Sequence, residues 1–506
     1  MSIFLRQVKT ENGWVRGIPA ADPRITAFKG VPYAKPPVGQ LRWRPPQPAG
    51  DWEGVRECKE FAPISMQTPP GLDPDNVYTK EWNVDPEIPM SEDCLYLNIW
   101  TPAKRDGKEK FPVFVWYFGG GLREGNTAEM EFDGERIARR GVVVVTVNYR
   151  VNTFGFLCHP EITAENPDAP ANFGHLDQQF GTRWVKRNIA AFGGDPDNIT
   201  IGGQSAGGMS VTAQLCCEEN KGLFQKAIVM SGIVANNYST FPMFNLDLKE
   251  AEEAGKEFFA FLGVKTLAEA RALDAEYIRD KTTAYNRMFG TIIDGKFQKG
   301  PNVFKMRRGD RLDVPVMVGW TNNEFFAGPT GEDAESLKAD IRKHMTPEQA
   351  EELIALAKPE EDAAAARKML TYVSPEMGCR VFLKGDEASG RKTPRYAYEF
   401  GPVIPGDDSG AFHSSDLWFF FETLAKCWRP FDGHHYDLAR KMCNYWCNFF
   451  KTGDPNGEDA DGTEMPRWRP YTEADPAVIH FHDRVELCDQ PPQRHTRIYI
   501  DSFLEQ

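Results

Sequence analysis

No apolar run in this sequence approaches the ~20 residues that a membrane-spanning helix requires. The stretch GVVVVTVNY at 141 to 149 is less than half that long, and the opening MSIFLRQVKTENG reaches charge within six residues without the apolar core of a secretion signal. The expectation is a soluble, cytoplasmic protein with no membrane partner. Positive charge is also in deficit: 73 acidic against 59 basic residues give a formal net charge of -14, so a nucleic acid would meet net repulsion. The lysine-dense segment KRDGKEK at 104 to 110 mixes both signs and reads as a solvated loop. Cysteine lacks metal-type spacing. Of ten residues, Cys216 and Cys217 are adjacent and the rest scattered, which predicts mostly buried free thiols. A Ser/Gly-rich linker is missing as well, the longest low-complexity tract being the alanine run at 363 to 366. Although 506 residues would ordinarily suggest about three domains, this predicts a single domain over 1–506 with insertions.

What is present is material for a large core, with 41% hydrophobic residues. After a hairpin-like start, the prolines of PYAKPPVGQLRWRPPQP impose an extended loop. CLYLNIW (94 to 100), FPVFVWYF (111 to 118) and VVVVTVNY (142 to 149) read as strands, the last buried on both faces. LDQQFGTRWVKRNIAAF (176 to 192) spaces Phe180, Trp184, Ile189 and Phe192 as one face of a covering helix, which GGDPDN ends. KAIVMSG, VPVMVGW and RYAYEFG supply later strands. Strand, helix, strand in repetition predicts an α/β fold with a largely parallel sheet, whose ligands sit beyond the carboxyl ends of the strands.

At that edge ITIGGQSAGGMS (199 to 210) removes bulk from around one hydroxyl. Gly203-Gln204-Ser205-Ala206-Gly207 fits the G-x-S-x-G elbow, in which a strand turns sharply into a helix and lifts a serine Oγ clear of the sheet. Such a nucleophile needs a base, an orienting acid and an anion hole. For the base, His413 in GAFHSSDLWFFF has small residues before it and an apolar helix start after it. His480 and His482 also fit, whereas His344 falls in a charged helical stretch and His434-His435 in a polar loop. For the acid, Glu324 sits on the turn after a strand in DVPVMVGWTNNEFF, and Asp294 and Asp416 compete as a turn-former and a helix-start carboxylate. FVWYFGGGLREGN leads a strand into bare glycine backbone, so N–H groups of Gly120 and Gly121, with Ala206, are candidates for an oxyanion hole. Gln204, Phe118, Tyr238 and Trp320, together with Phe325 and Phe326, are candidates for a substrate pocket; core packing would account for the aromatics equally well.

Taken together, FKGVPYAKPPVGQLRWRPPQP, SEDCLYLNIWTP, VWYFGGGL, VVVTVNYRVNTFGFL, DQQFGTRWVKRNIAAFGGDPDNITIGGQSAGG, GWTNNE, GAFHSSDL and YWCNFFKTGDPNG resemble, in order, the type-B carboxylesterases of the cholinesterase and carboxylesterase family, in their bacterial, para-nitrobenzyl-esterase-like branch. The resemblance implies the α/β-hydrolase fold, Ser205 as nucleophile, Glu324 as acid, His413 as base, and an anion hole of Gly120, Gly121 and Ala206. It further implies a salt bridge between Arg42 and Glu92 and a buried Arg150 beside Asp177. The activity implied is hydrolysis of small alkyl or aryl esters by water through an acyl-enzyme, with no metal or cofactor; hydroxycinnamate esters come next as substrates. A non-catalytic cholinesterase-like interaction module is the rival class. Three departures stand out: Gln204 replaces the family's usual Glu, Phe118 replaces a frequent His, and Cys94 has no upstream partner.

Overall fold

The computed structural model describes residues 3–105, 107–234, 246–459 and 462–505. Alternation along the apolar runs builds a sheet with two buried faces: Val113, Val115 and Tyr117 point to one side, Phe114 and Trp116 to the other, and all are essentially inaccessible. Eleven strands take part, in chain order β1 (Ile18–Pro19), β2 (Thr26–Pro32), β3 (Tyr96–Thr101), β4 (Phe111–Tyr117), β5 (Val143–Val147), β6 (Gly194–Gln204), β7 (Lys226–Met230), β8 (Val316–Thr321), β9 (Arg395–Phe400), β10 (Ala477–Phe481) and β11 (Val485–Asp489). They lie in the order β11-β10-β9-β8-β7-β6-β4-β5-β3-β2-β1. From β10 to β5 neighbours are parallel, and antiparallel pairs finish both ends.

The sites of interest lie on or beside five helices: α1 (Val77–Glu81), α2 (Phe173–Asn188), α3 (Ala206–Leu215), α4 (Ser374–Ala388) and α5 (Gly433–Thr452). Trp184 of α2, Val211 of α3 and Phe382 of α4 pack with Val113 and Val115 on one face, while Leu438 and Trp446 of α5 pack with Phe114 and Trp116 on the other. The expected helix at 176 to 192 begins earlier, at Phe173, and its last four residues tighten into a 3-10 turn, Ile189–Phe192. GGDPDN does not merely end that helix. From Gly194 it already belongs to β6, where Gly194 pairs with Phe111 ahead of an irregularity in register.

Two buried ion pairs anchor the loops around this frame. Arg42 and Glu92 meet through paired bonds of 2.6 and 2.7 Å, and Arg150 and Asp177 through two of 2.7 Å. Both have the two-point geometry that makes guanidinium–carboxylate contacts specific. All ten cysteines are unpaired, Cys94 among them. Among the described residues no helix is long and apolar enough to cross a membrane.

Candidate active site

Because β4, β6, β7 and β8 are parallel, the residues that follow them emerge at one edge of the sheet: Gly119 to Gly121, Ser205, Ser231 and Glu324. Ser205 sits between β6 and α3 at φ 56° and ψ -125°, a conformation L-residues avoid, and α3 starts at the next residue. The strain is tolerated because the surroundings have no side chains to collide. A Cβ on Gly203 would overlap the Gly207 carbonyl, and one on Gly207 would overlap the Tyr117 carbonyl oxygen. The Ser205 N–H is held by the Met230 carbonyl at 2.9 Å.

His413 stands on a loop ahead of Asp416 and is 7% exposed. Its Nδ1 lies 2.7 Å from Glu324 Oε2. The other carboxylate oxygen of Glu324 accepts from the Ser231 hydroxyl and the Thr321 N–H, both at 2.6 Å. With Nδ1–H turned to Glu324, Nε2 is left as an acceptor, and the Gln204 amide nitrogen sits 3.3 Å from it. A Cβ on Gly119 would lie 3.2 Å from Gln204 Oε1 and equally close to Ser205 Cβ. The triglycine loop is thus laid against the elbow. Among the described residues the N–H groups of Gly120 and Gly121 have no protein acceptor, and the Ala206 N–H opens α3, where helix N–H groups lack intrahelical partners.

The competing candidates are placed elsewhere. Asp294 holds its own loop, accepting from the N–H groups of Lys296 and Gln298 and from Asn172. Asp416 is fully buried behind the histidine and accepts from Tyr398 Oη at 3.1 Å; burial, then the neighbouring Glu324, pushes its carboxyl up to about 7. His480 and His482 lie on and just after β10, near Glu399. His344 ends a helix, Ala334–His344. His434 and His435 are not in a loop: they form the first turn of α5, capped by Asp432.

Two pocket candidates lie in the core. Phe118 is inaccessible, its ring stacked on Tyr149 at 4.1 Å, and Trp320 is 1% exposed in the core with its indole N–H on Glu399 Oε2. Phe118 follows β4 and Trp320 lies within β8, strands buried on both faces, so packing claims both rings. Tyr238 lies outside the described residues. Phe325 does border the histidine, 4.5 Å between ring centres, while Phe326 is exposed in a two-residue strand. Three neighbours were missed in the sequence reading. Tyr78 of α1 donates to the His413 carbonyl at 3.3 Å, Met288 reaches within 3.7 Å of where a Gly121 Cβ would stand, and Ser231 holds Glu324. For Ser231 a signal existed in its place directly after a strand parallel to β6; for Tyr78 and Met288 none did.

The profile of the Carboxylesterase family matches residues 5–498. The chain belongs to that family. Para-nitrobenzyl esterase of Bacillus subtilis is 30% identical, with 96% of each chain covered. A cholinesterase of Mus musculus is 43% identical over 91% of this chain and 81% of the relative. The structure of a PNB esterase superposes with a TM-score of 0.79 at 28% identity, covering 98% of this chain and 99% of the other. This esterase therefore has the α/β-hydrolase fold and is a carboxylic-ester hydrolase, with an ester and water as its substrates.

Proposed function

We propose that this esterase works through an acyl-enzyme on Ser205. The observation that carries the reading is the 2.7 Å contact between His413 Nδ1 and Glu324 Oε2 beside a strained serine. Glu324 fixes the tautomer that leaves Nε2 free to accept a proton. In the resting arrangement Nε2 takes a hydrogen bond from Gln204, and substrate entry shifts it to Ser205 Oγ, since such bonds tighten only in the Michaelis complex. Oγ attacks the ester carbonyl carbon as Nε2 takes its proton. The oxyanion is held by the N–H groups of Gly120, Gly121 and Ala206. Collapse expels the alcohol, which leaves with the proton from His413, and water repeats the sequence to release the acid.

The substrates we infer are small, neutral alkyl or aryl esters. Gln204 puts an amide rather than a charge beside the serine, and Tyr78, Met288 and Phe325 give the surroundings an apolar character. The whole chain acts as one domain, a reading supported by a sheet whose strands run from residue 18 to residue 489. Ten unpaired cysteines favour a reducing compartment, and we place the enzyme in a bacterial cytoplasm without nucleic-acid or membrane partners. Titration with an organophosphate tests the mechanism: one equivalent of label should appear on Ser205 and none on Ser205→Ala. Labelling elsewhere, or turnover by Ser205→Ala, would refute it.

A further inference from the structure

Away from the serine, the end of the sheet gathers a second set of chemically capable side chains. His480 lies on β10 directly opposite Glu399 on β9 in the sheet register, and His482 follows two residues on, at the same face. The two imidazoles lie nearly parallel, 4.8 Å between centres at 24°. His482 Nε2 is 3.0 Å from Glu399 Oε1. One ligand atom from each of the three residues falls within 4.8 Å of the others.

We propose that His480, His482 and Glu399 form a binding site for a divalent transition metal of the zinc type, with solvent completing the shell. Zinc bonds of about 2.1 Å to nitrogen and oxygen put tetrahedral neighbours about 3.4 Å apart, so the observed spacing needs only small side-chain rotations. Two neutral imidazoles and one carboxylate are the ligand chemistry such ions take. The supports behind the ligands are also in place. Glu399 Oε2 is fixed from behind by the Trp320 indole N–H at 3.3 Å and the Gln490 amide at 3.2 Å, and Gln490 Oε1 meets His480 Nε2 at 3.2 Å. Outer partners of this kind hold the orientation of metal ligands. Cys488 Sγ lies 3.5 Å from His480 Nδ1, so a thiol borders the site. The Asn322 amide borders the site as well: a Cβ on Gly401 would meet both Asn322 Nδ2 and His482 Nε2, the latter at 2.7 Å.

A second group, Asp432, His434 and His435, has a similar composition but a different explanation. There His435 Nδ1 and the Asp432 carboxylate complete the N-terminal cap of α5, and His435 Nε2 faces the Val403 carbonyl. It serves as the internal control.

The protein is stripped with a chelator, dialysed, and titrated with Zn²⁺ by calorimetry, then loaded with Co²⁺ and read by visible absorption. One equivalent should bind with micromolar or better affinity, the melting temperature should rise by a few degrees at a hundredfold excess over Kd, and Co²⁺ should show tetrahedral d–d bands. His480→Gln/His482→Gln and, as a milder change, Glu399→Gln should weaken binding at least tenfold while neutral-ester turnover by the metal-free protein shows each variant folded. His434→Gln should bind like wild type. No stoichiometric binding, equal binding by the His480→Gln/His482→Gln and Glu399→Gln variants, or loss of binding in His434→Gln would overturn the proposal.

Discussion

Gln204→Glu changes one atom group and no volume, yet it places a buried carboxylate against the imidazole. Gln204 is 2% exposed and its amide nitrogen is 3.3 Å from His413 Nε2. At that separation an ion pair with the imidazolium is worth roughly 5 kcal/mol at an effective dielectric of about 20. Burial of the new charge cancels a large part, because an isolated carboxylate in this position is itself disfavoured. If about 2 kcal/mol survives, protonation of the base is favoured by about 1.5 pH units. The acid limb of the kcat/KM profile should then move up by that amount on a neutral butyl-type ester, with kcat/KM at neutral pH falling roughly tenfold. A matched choline ester carries its own charge past the same carboxylate, so it should lose less, and the wild type should prefer the neutral ester. The assay is kcat/KM against pH for both esters in both proteins at two salt concentrations. An unmoved acid limb would show that residue 204 does not act on the base, and a wild type that already prefers the choline ester would refute the electrostatic account.

Other consequences can be checked alongside. Ser231→Ala removes a 2.6 Å hydrogen bond to the Glu324 carboxylate, a contact class worth roughly 1.5–3 kcal/mol, so kcat should fall about ten- to a hundredfold with KM little changed. Glu324→Gln should cost about four orders of magnitude in kcat, as loss of the tautomer-fixing acid does in other triads; Asp416→Asn should cost far less, and the reverse ranking would move the acid to Asp416. Burial raises the carboxyl of Glu129 to about 7 and that of its neighbour Glu131 well above the usual range. Both are more protonated folded than unfolded, so stability is fully present below the usual carboxyl value of 4.5 and declines as pH rises toward 7 and beyond. Thermal melts across that range should show the decline in wild type and a flatter profile in Glu131→Gln; parallel profiles would place the proton elsewhere.

The strands were legible because periodicity and β-branching reflect burial on two faces: the runs around Val113, Val143, Val316 and Tyr396 all joined one sheet. The elbow was legible for a related reason. Glycine at 203 and 207 is a local demand of backbone overlap, and a local demand leaves a local pattern. For the aromatics, bulk alone does not say which side of a strand a ring takes; Phe118 and Trp320 both turn inward, one to stack on Tyr149 and the other to bond the half-buried Glu399.

Contacts between segments far apart in sequence left no such trace. Gln204 and His413 are separated by 209 positions, Ser231 and Glu324 by 93, Tyr78 and His413 by 335. Each pair is set by how distant segments meet in space, not by spacing. The same holds for His480 and His482, which in sequence compete for the role of the base and in space face Glu399 across the β9–β10 pairing. Strand order decides between the two roles. The turn after β8 carries Glu324 back toward β7 and β6, where Ser231 and Ser205 emerge, and so toward His413. β10 lies two strands out on the opposite side of β8, with β9 between, so its histidines meet the carboxylate of β9 instead. The proposed histidine base and the proposed metal-ligand pair therefore differ less in residue type than in which strand lies beside them.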